Sequence, residues 1–220
     1  MNMNRREFSA RVVGTGAGLG ALGLALSPPA RAQGPEPAEG TEFTRLNPPV
    51  APPAGAKIEV LEFFSYACPH CSAFEPTLEA WAKQLPADVV LKRVPVSFLM
   101  NAENFQRTYF ALESLGLVAT MQRKVFTAVH VDRLRLEKPA EIGALIAKNG
   151  GDEKKFLDAF NSFSVATNVS RAKKLMVDYK VDGVPTLAIH GRFITSPSMA
   201  GSSERALAVA DMLIQRARKG

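Results

Sequence analysis

Both cysteines of the chain fall in one short stretch, Cys68-Pro69-His70-Cys71. Two thiols at this spacing form a redox dithiol when they follow a strand and open a helix. The context fits. Ile58 to Phe64 is apolar and β-prone, and residues 68 to about 84 read as a helix, with Pro69 at its first turn where a missing N–H is harmless. Cys68 then sits at the helix N-terminus, where unpaired backbone N–H groups and the helix dipole favour an anion. Cys71 lies one turn inside, more shielded. A cationic His70 between the sulfurs would lower the Cys68 pKa further. These positions predict an exposed Cys68 thiolate that meets substrate and leaves readily from a mixed disulfide.

Other uses of such a pair fit less well. A c-type haem site needs histidine directly after the second cysteine, where Ser72 stands. Zinc needs about four ligands, and the remaining histidines, His130 and His190, fall in a helix tail and a hairpin turn; no metal is expected. A structural staple is the serious alternative. So short a ring removes only ~2 kcal/mol of unfolded-chain entropy, against ~4.7 kcal/mol for a ring of about 100 residues. A chain of 220 residues hardly needs it. The redox reading requires no cofactor beyond the Cys68–Cys71 disulfide itself.

Glu62 is a carboxylate inside the apolar strand Ile58–Phe64, so it should be paired or carry a raised pKa. Val89 to Val96 reads as a second strand. A long helical stretch follows, with Phe105, Tyr109, Leu112 and Leu115, then Met121, Val125 and Val129, at helical spacing. Shorter helices are expected around 142–146 and 156–160, and a longer one is striped by Val165, Val169, Ala172, Leu175, Met176 and Tyr179. Thr186 to Ile189 and Arg192 to Thr195 form a hairpin across His190-Gly191, and an amphipathic helix closes the chain. Pro76 should kink the first helix. This order predicts an α/β core, residues 57–97 and 166–220, with a helical insertion at 98–165.

The net charge of +6 divides evenly. Residues 1–32 carry +3, from Arg5, Arg6, Arg11 and Arg31 against Glu7, which leaves +3 for the other 188. No dense basic stripe appears, so nucleic acid is not an expected partner. Residues 1–32 themselves read as a cleaved export signal. Arg5-Arg6 precede an uncharged run of 15 residues, Val12 to Leu26, too short to span a bilayer, and Ala30-Arg31-Ala32 supplies a cleavage pattern. The twin arginines before Glu7-Phe8 suit twin-arginine export, and general secretion fits as well. Either route in a bacterium leads to the oxidising periplasm. Residues 33–56 are proline-rich and read as a tether, with room for one edge strand at Phe43–Leu46.

The run Leu61 to Cys71 (Leu-Glu-Phe-Phe-Ser-Tyr-Ala-Cys-Pro-His-Cys) strongly resembles the DsbA family of periplasmic thiol oxidases. So do Asn161-Ser162-Phe163, Gly183-Val184-Pro185 and the His190-Gly191 hairpin. The likeness spans about residues 41–217. It implies a thioredoxin-like fold with an inserted α-helical domain, catalysis by Cys68 and Cys71 with Pro69 and His70 between them, and a cis peptide at Val184-Pro185 whose backbone pairs with extended substrate. It also implies a buried acid at Glu62, with Arg93 and Glu75 completing an acid–base cluster. The expected activity is oxidation of dithiols in exported proteins by a monomer, with reoxidation by a membrane quinone-linked partner of the DsbB type. The competing activity is reduction or isomerisation on the same fold. Ala67, Pro76 and Pro95 depart from the best-known members, which bears on substrate range.

Overall fold

The computed structural model describes residues 35–52, 55 and 57–219; the expected signal lies outside them. Five strands build one sheet, ordered β1-β5-β4-β2-β3. At its heart, β2 (Ile58–Phe64) pairs in parallel with β3 (Val89–Pro95) and antiparallel with β4 (Thr186–Ile189). β4 pairs with β5 (Phe193–Thr195) across the His190-Gly191 turn, and β1 (Phe43–Arg45) adds to β5. From Val60 onward every residue of β2 is buried, as expected of a strand covered on both faces.

The two faces are covered differently. Helix α1 (Pro69–Ala82) links β2 to β3, and α8 (Ser203–Arg218) packs beside it. Val60, Phe74, Leu78, Trp81, Leu207 and Leu213 form the core on that side. On the other side, Leu61 and Phe63 join residues of α2 (Ala102–Ser114), α3 (Val118–His130) and α6 (Phe163–Asp178) in a second core. Helices α4 (Pro139–Lys148) and α5 (Glu153–Phe160) extend it, and a short α7 (Pro197–Ala200) precedes α8. Ser162 caps α6 by accepting from the Val165 N–H at 3.2 Å, which explains the Asn161-Ser162-Phe163 run in local terms.

Three expectations need revision. The helical stretch from Phe105 to Val129 is two helices. Gly116, at φ +68°, ends α2, with Gly116 N–H donating to Glu113 O and Leu117 N–H to Leu112 O, the paired bonds of a helix stop that a left-handed glycine permits. The division at 165/166 falls inside α6. The stretch read as a tether belongs to the fold over much of its length. β1 lies on the sheet edge, Leu46 N–H donates to Arg192 O and Val50 N–H to Gly191 O, each at 2.8 Å, and Phe43 is fully buried. A Cβ at Gly191 would lie 1.7 Å from the Val50 carbonyl oxygen, so only glycine allows that close approach. Among the described residues no helix is long and apolar enough to cross a membrane.

Candidate active site

Cys68 is the N-cap of α1, in extended backbone at φ −91° and ψ 115°, and Pro69 takes the first helical position. The cap places the Cys68 sulfur to accept the Cys71 N–H at 3.3 Å. The same thiol donates to the Val184 carbonyl at 3.4 Å, and the Val184-Pro185 peptide is cis. Both cysteines are free thiols. Cys68 is less open than expected. It is 5% exposed, and Cys71 is 0% exposed. The cause is the Gly183–Pro185 turn, whose Val184 carbonyl lies against the sulfur. His70 is exposed and lines the groove described below.

This geometry separates the two thiols chemically. The Cys68 thiol is drawn down to about 6 despite partial burial. A hydrogen bond from the Cys71 thiol is the largest cause, the N–H groups of Cys71 and His70 add to it, and the charge of His70 contributes least. Cys71 moves the opposite way. Burial pushes its thiol well above the usual range, and its bond to the Cys68 sulfur holds the proton further. The arrangement suits the outer sulfur to nucleophilic attack and departure, while burial favours the protonated form of the inner one.

Glu62, Glu75 and Arg93 do come together behind the cysteines. Glu62 on β2 stands opposite Arg93 on β3 in the parallel register. Arg93 Nε donates to Glu62 at 2.9 Å, and its terminal nitrogen donates to Glu75 on α1 at 2.5 Å. Both carboxyl groups are buried, and among the described residues Glu62 Oε1 has no hydrogen-bond partner, while Gln122 is the further polar side chain that bears on Glu75. One guanidinium cannot neutralise two buried carboxylates. Burial accordingly raises both carboxyl pKa values, and the charge of Glu62 raises that of Glu75 further. Glu62 also helps hold the proton on Cys71, which couples this cluster to the inner thiol.

Comparison with known proteins fits this geometry. A family model described as a DSBA-like thioredoxin domain matches residues 88–206. The thiol:disulfide interchange protein DsbA of Bordetella pertussis is 43% identical over 204 residues, covering 92% of this chain and 94% of that protein. The chain belongs to the DsbA family. The Pseudomonas aeruginosa DsbA protein is 39% identical over 189 residues, covering 85% of this chain and 89% of its own. A crystal structure of Pseudomonas aeruginosa DsbA superposes with a TM-score of 0.80 at 38% identity, covering 83% of this chain and 95% of that one. DsbA from Xylella fastidiosa superposes at 0.76 with 28% identity, covering 84% and 99%. The fold is thus the thioredoxin-like DsbA fold, and the chain is a thiol:disulfide oxidoreductase.

Beside the DsbA-type cysteine pair runs a groove of about 870 Å³. His70, Val184, Pro185, Leu46, Lys180 and Met199 are among the residues that line it. Thr186 Oγ1 donates to Gly183 O at 2.8 Å and so closes the turn that presents Val184. Among the described residues no group of three or more His, Cys, Asp or Glu is placed to hold a metal ion.

Reasoning from sequence overlooked three residues beside the site. Tyr66 is fully buried and its hydroxyl donates to Gln122 Oε1. His130 Nε2 lies 2.9 Å from the Tyr66 carbonyl. A signal existed: Gln122, Phe126 and His130 recur every four positions on α3, which places two polar groups on a face that an aromatic residue marks as inward.

Proposed function

We propose that the protein is a periplasmic dithiol oxidase that donates its Cys68–Cys71 disulfide to exported proteins. A substrate thiolate attacks the Cys68 sulfur, the intramolecular S–S bond breaks, and Cys71 departs and takes up a proton. The result is a mixed disulfide on Cys68. A second substrate thiolate then attacks the substrate sulfur of that bond, and Cys68 leaves as a thiolate. The substrate has lost two electrons and gained a disulfide; the enzyme holds them as its dithiol. The observation that carries this reading is the opposed behaviour of the two thiols, Cys68 drawn down to about 6 and Cys71 pushed up. A stabilised Cys68 thiolate favours the reduced enzyme and so makes the disulfide more oxidising than the same pair with an unshifted thiol.

In this reading the groove receives an extended substrate segment that pairs with the backbone at Val184, and the buried Glu62–Arg93–Glu75 cluster exchanges the proton that Cys71 gains and loses. The enzyme acts as a monomer, needs no cofactor besides its own disulfide, and is reoxidised by a membrane quinone-linked partner of the DsbB type. Residues 1–32 direct export and are removed after Ala32. The reduction potential tests the oxidase against the reductase. A value above roughly −180 mV supports oxidation, whereas one near −270 mV would assign the protein to reduction. Cys68→Ser should abolish oxidation of a peptide dithiol; retained activity would leave the cysteine pair a staple.

A further inference from the structure

We propose that His130 is a positioning residue for the redox site, tying the turn that carries Cys68 to helix α3. Residues 65–67 hand β2 over to α1, and their hydrogen bonds set where the Cys68 sulfur stands. Cys68 N–H donates to Ser65 O at 3.0 Å, and Ala67 N–H to Ser65 Oγ at 3.1 Å. The Tyr66 carbonyl differs. Among the described residues its partner is the His130 ring, at 2.9 Å from Nε2. Tyr66 is fully buried, and a buried carbonyl requires a donor. A carbonyl oxygen only accepts, so Nε2 must carry the hydrogen.

The ring is held for this task. His130 is the last residue of α3 and stacks on Phe126, with centroids 6.2 Å apart and planes at 26°. Phe126 in turn lies 5.0 Å from the Tyr66 ring, and Gln122, one turn earlier, accepts from the Tyr66 hydroxyl. Helix α3 therefore grips Tyr66 at both ends, phenol and carbonyl. The grip joins positions 64 apart in the chain, and it places an element from outside the strand–helix unit in control of the backbone two residues before Cys68. The sulfur is held by directional bonds from N–H groups at the helix start, which weaken as the donor angle opens. Loosening the Tyr66 carbonyl releases the turn that aligns them.

The proposal rests on the reading of Cys68 as the reactive thiolate, and both can be tested in one titration. Thiolate absorbance of the reduced full-length protein is followed against pH for the wild type, His130→Leu and His130→Gln. The Leu variant should titrate higher by about half a unit, equivalent to about threefold slower alkylation below the midpoint. The Gln variant supplies an amide N–H to the same carbonyl and should return the curve to the wild-type position. A Leu variant that titrates like the wild type, or a Gln variant that does not restore it, overturns the assignment. Nitrogen NMR of the unaltered protein covers the case in which Leu prevents folding. His130 should carry its hydrogen on Nε2; a hydrogen on Nδ1 alone would overturn the tie. A wild type with no low-pH thiolate would instead bring down the reading of the site, and the proposal with it.

Discussion

Raising the pH should shift the balance of stability from the disulfide form of the protein towards its dithiol form, by an amount set at Cys68. In the folded dithiol this thiol is drawn down to about 6, against roughly 8.5 in an unfolded chain. A depressed folded-state pKa adds stability that is complete above the unfolded value and is lost as the pH falls through the folded one. The thiolate therefore contributes almost nothing at pH 5, about 1.4 kcal/mol at pH 7 and about 3 kcal/mol at pH 9. Cys71, whose folded thiol is pushed up, works the other way once the unfolded chain ionises it, by about 0.8 kcal/mol at pH 9, which leaves roughly 2 kcal/mol there. The disulfide form lacks this contribution but gains ~2 kcal/mol from closing its short ring. The oxidised protein should thus lead by ~2 kcal/mol at pH 5, about 0.8 M in urea midpoint for a typical slope, and the two forms should converge by about pH 9. Urea unfolding of both forms at pH 5, 7 and 9 measures the gap. The buried carboxyls titrate in both forms and largely cancel. A gap that stays constant with pH, or widens in favour of the disulfide as pH rises, would refute the depressed thiolate.

Further outcomes follow from the same geometry. Iodoacetamide at about pH 6.5 should modify Cys68 and leave Cys71 untouched, because burial keeps the inner thiol protonated; mass spectrometry showing Cys71 modified first would reverse the roles. Cys71→Ala should raise the thiolate midpoint of Cys68 more than His70→Ala does, since the Cys71 thiol is the leading influence and the His70 charge the least; the opposite order in the ultraviolet titration would contradict the site electrostatics. Arg93→Met removes the cation that faces the buried Glu62 and Glu75 and should cost up to about 3–5 kcal/mol where they are ionised, above about pH 8. Folded-state carboxyls raised in this way take up protons that the unfolded chain does not, so that loss should shrink towards pH 5. A loss independent of pH, measured by urea unfolding, would show that the carboxyls are already neutral.

The strand–helix junction, the hairpin and the closing helix could be read directly, because each rests on local chemistry. Pro69 suits a first turn, Gly191 a tight reversal, and the stripe on α8 an inward face. The roles proposed for the cysteines rest on equally local ground, since a helix N-cap is a local feature. What escaped depended on tertiary packing. The shielding of Cys68 comes from Val184, 116 positions away, and no pattern near residue 68 announces it. Gly116 stopped a helix that the apolar spacing alone would have carried through. The stretch before β2 looked like a tether because its prolines rule out a regular interior. Yet Phe43 is fully buried and Glu42 pairs with Arg205 on α8 at 2.5 Å, contacts set by the far end of the chain. Tyr66 sits inside the motif, but its partners Gln122 and His130 belong to α3, and only the fold brings them near.

The two borders of the sheet bear on how such an enzyme survives its clients. Unfolded chains offer unpaired backbone, and an open border of a sheet is a template on which they add and aggregate. One border here is β1, three residues long, too short to hold a long guest strand. The other, β3, carries Lys92 and closes on Pro95, which has no N–H to give. Neither border invites a ladder. Under the proposed function, recognition of loose backbone is left to the turn at Val184, a single half-buried step beside the reactive sulfur. The catalyst can work in a crowd of half-folded chains without being recruited into their sheets.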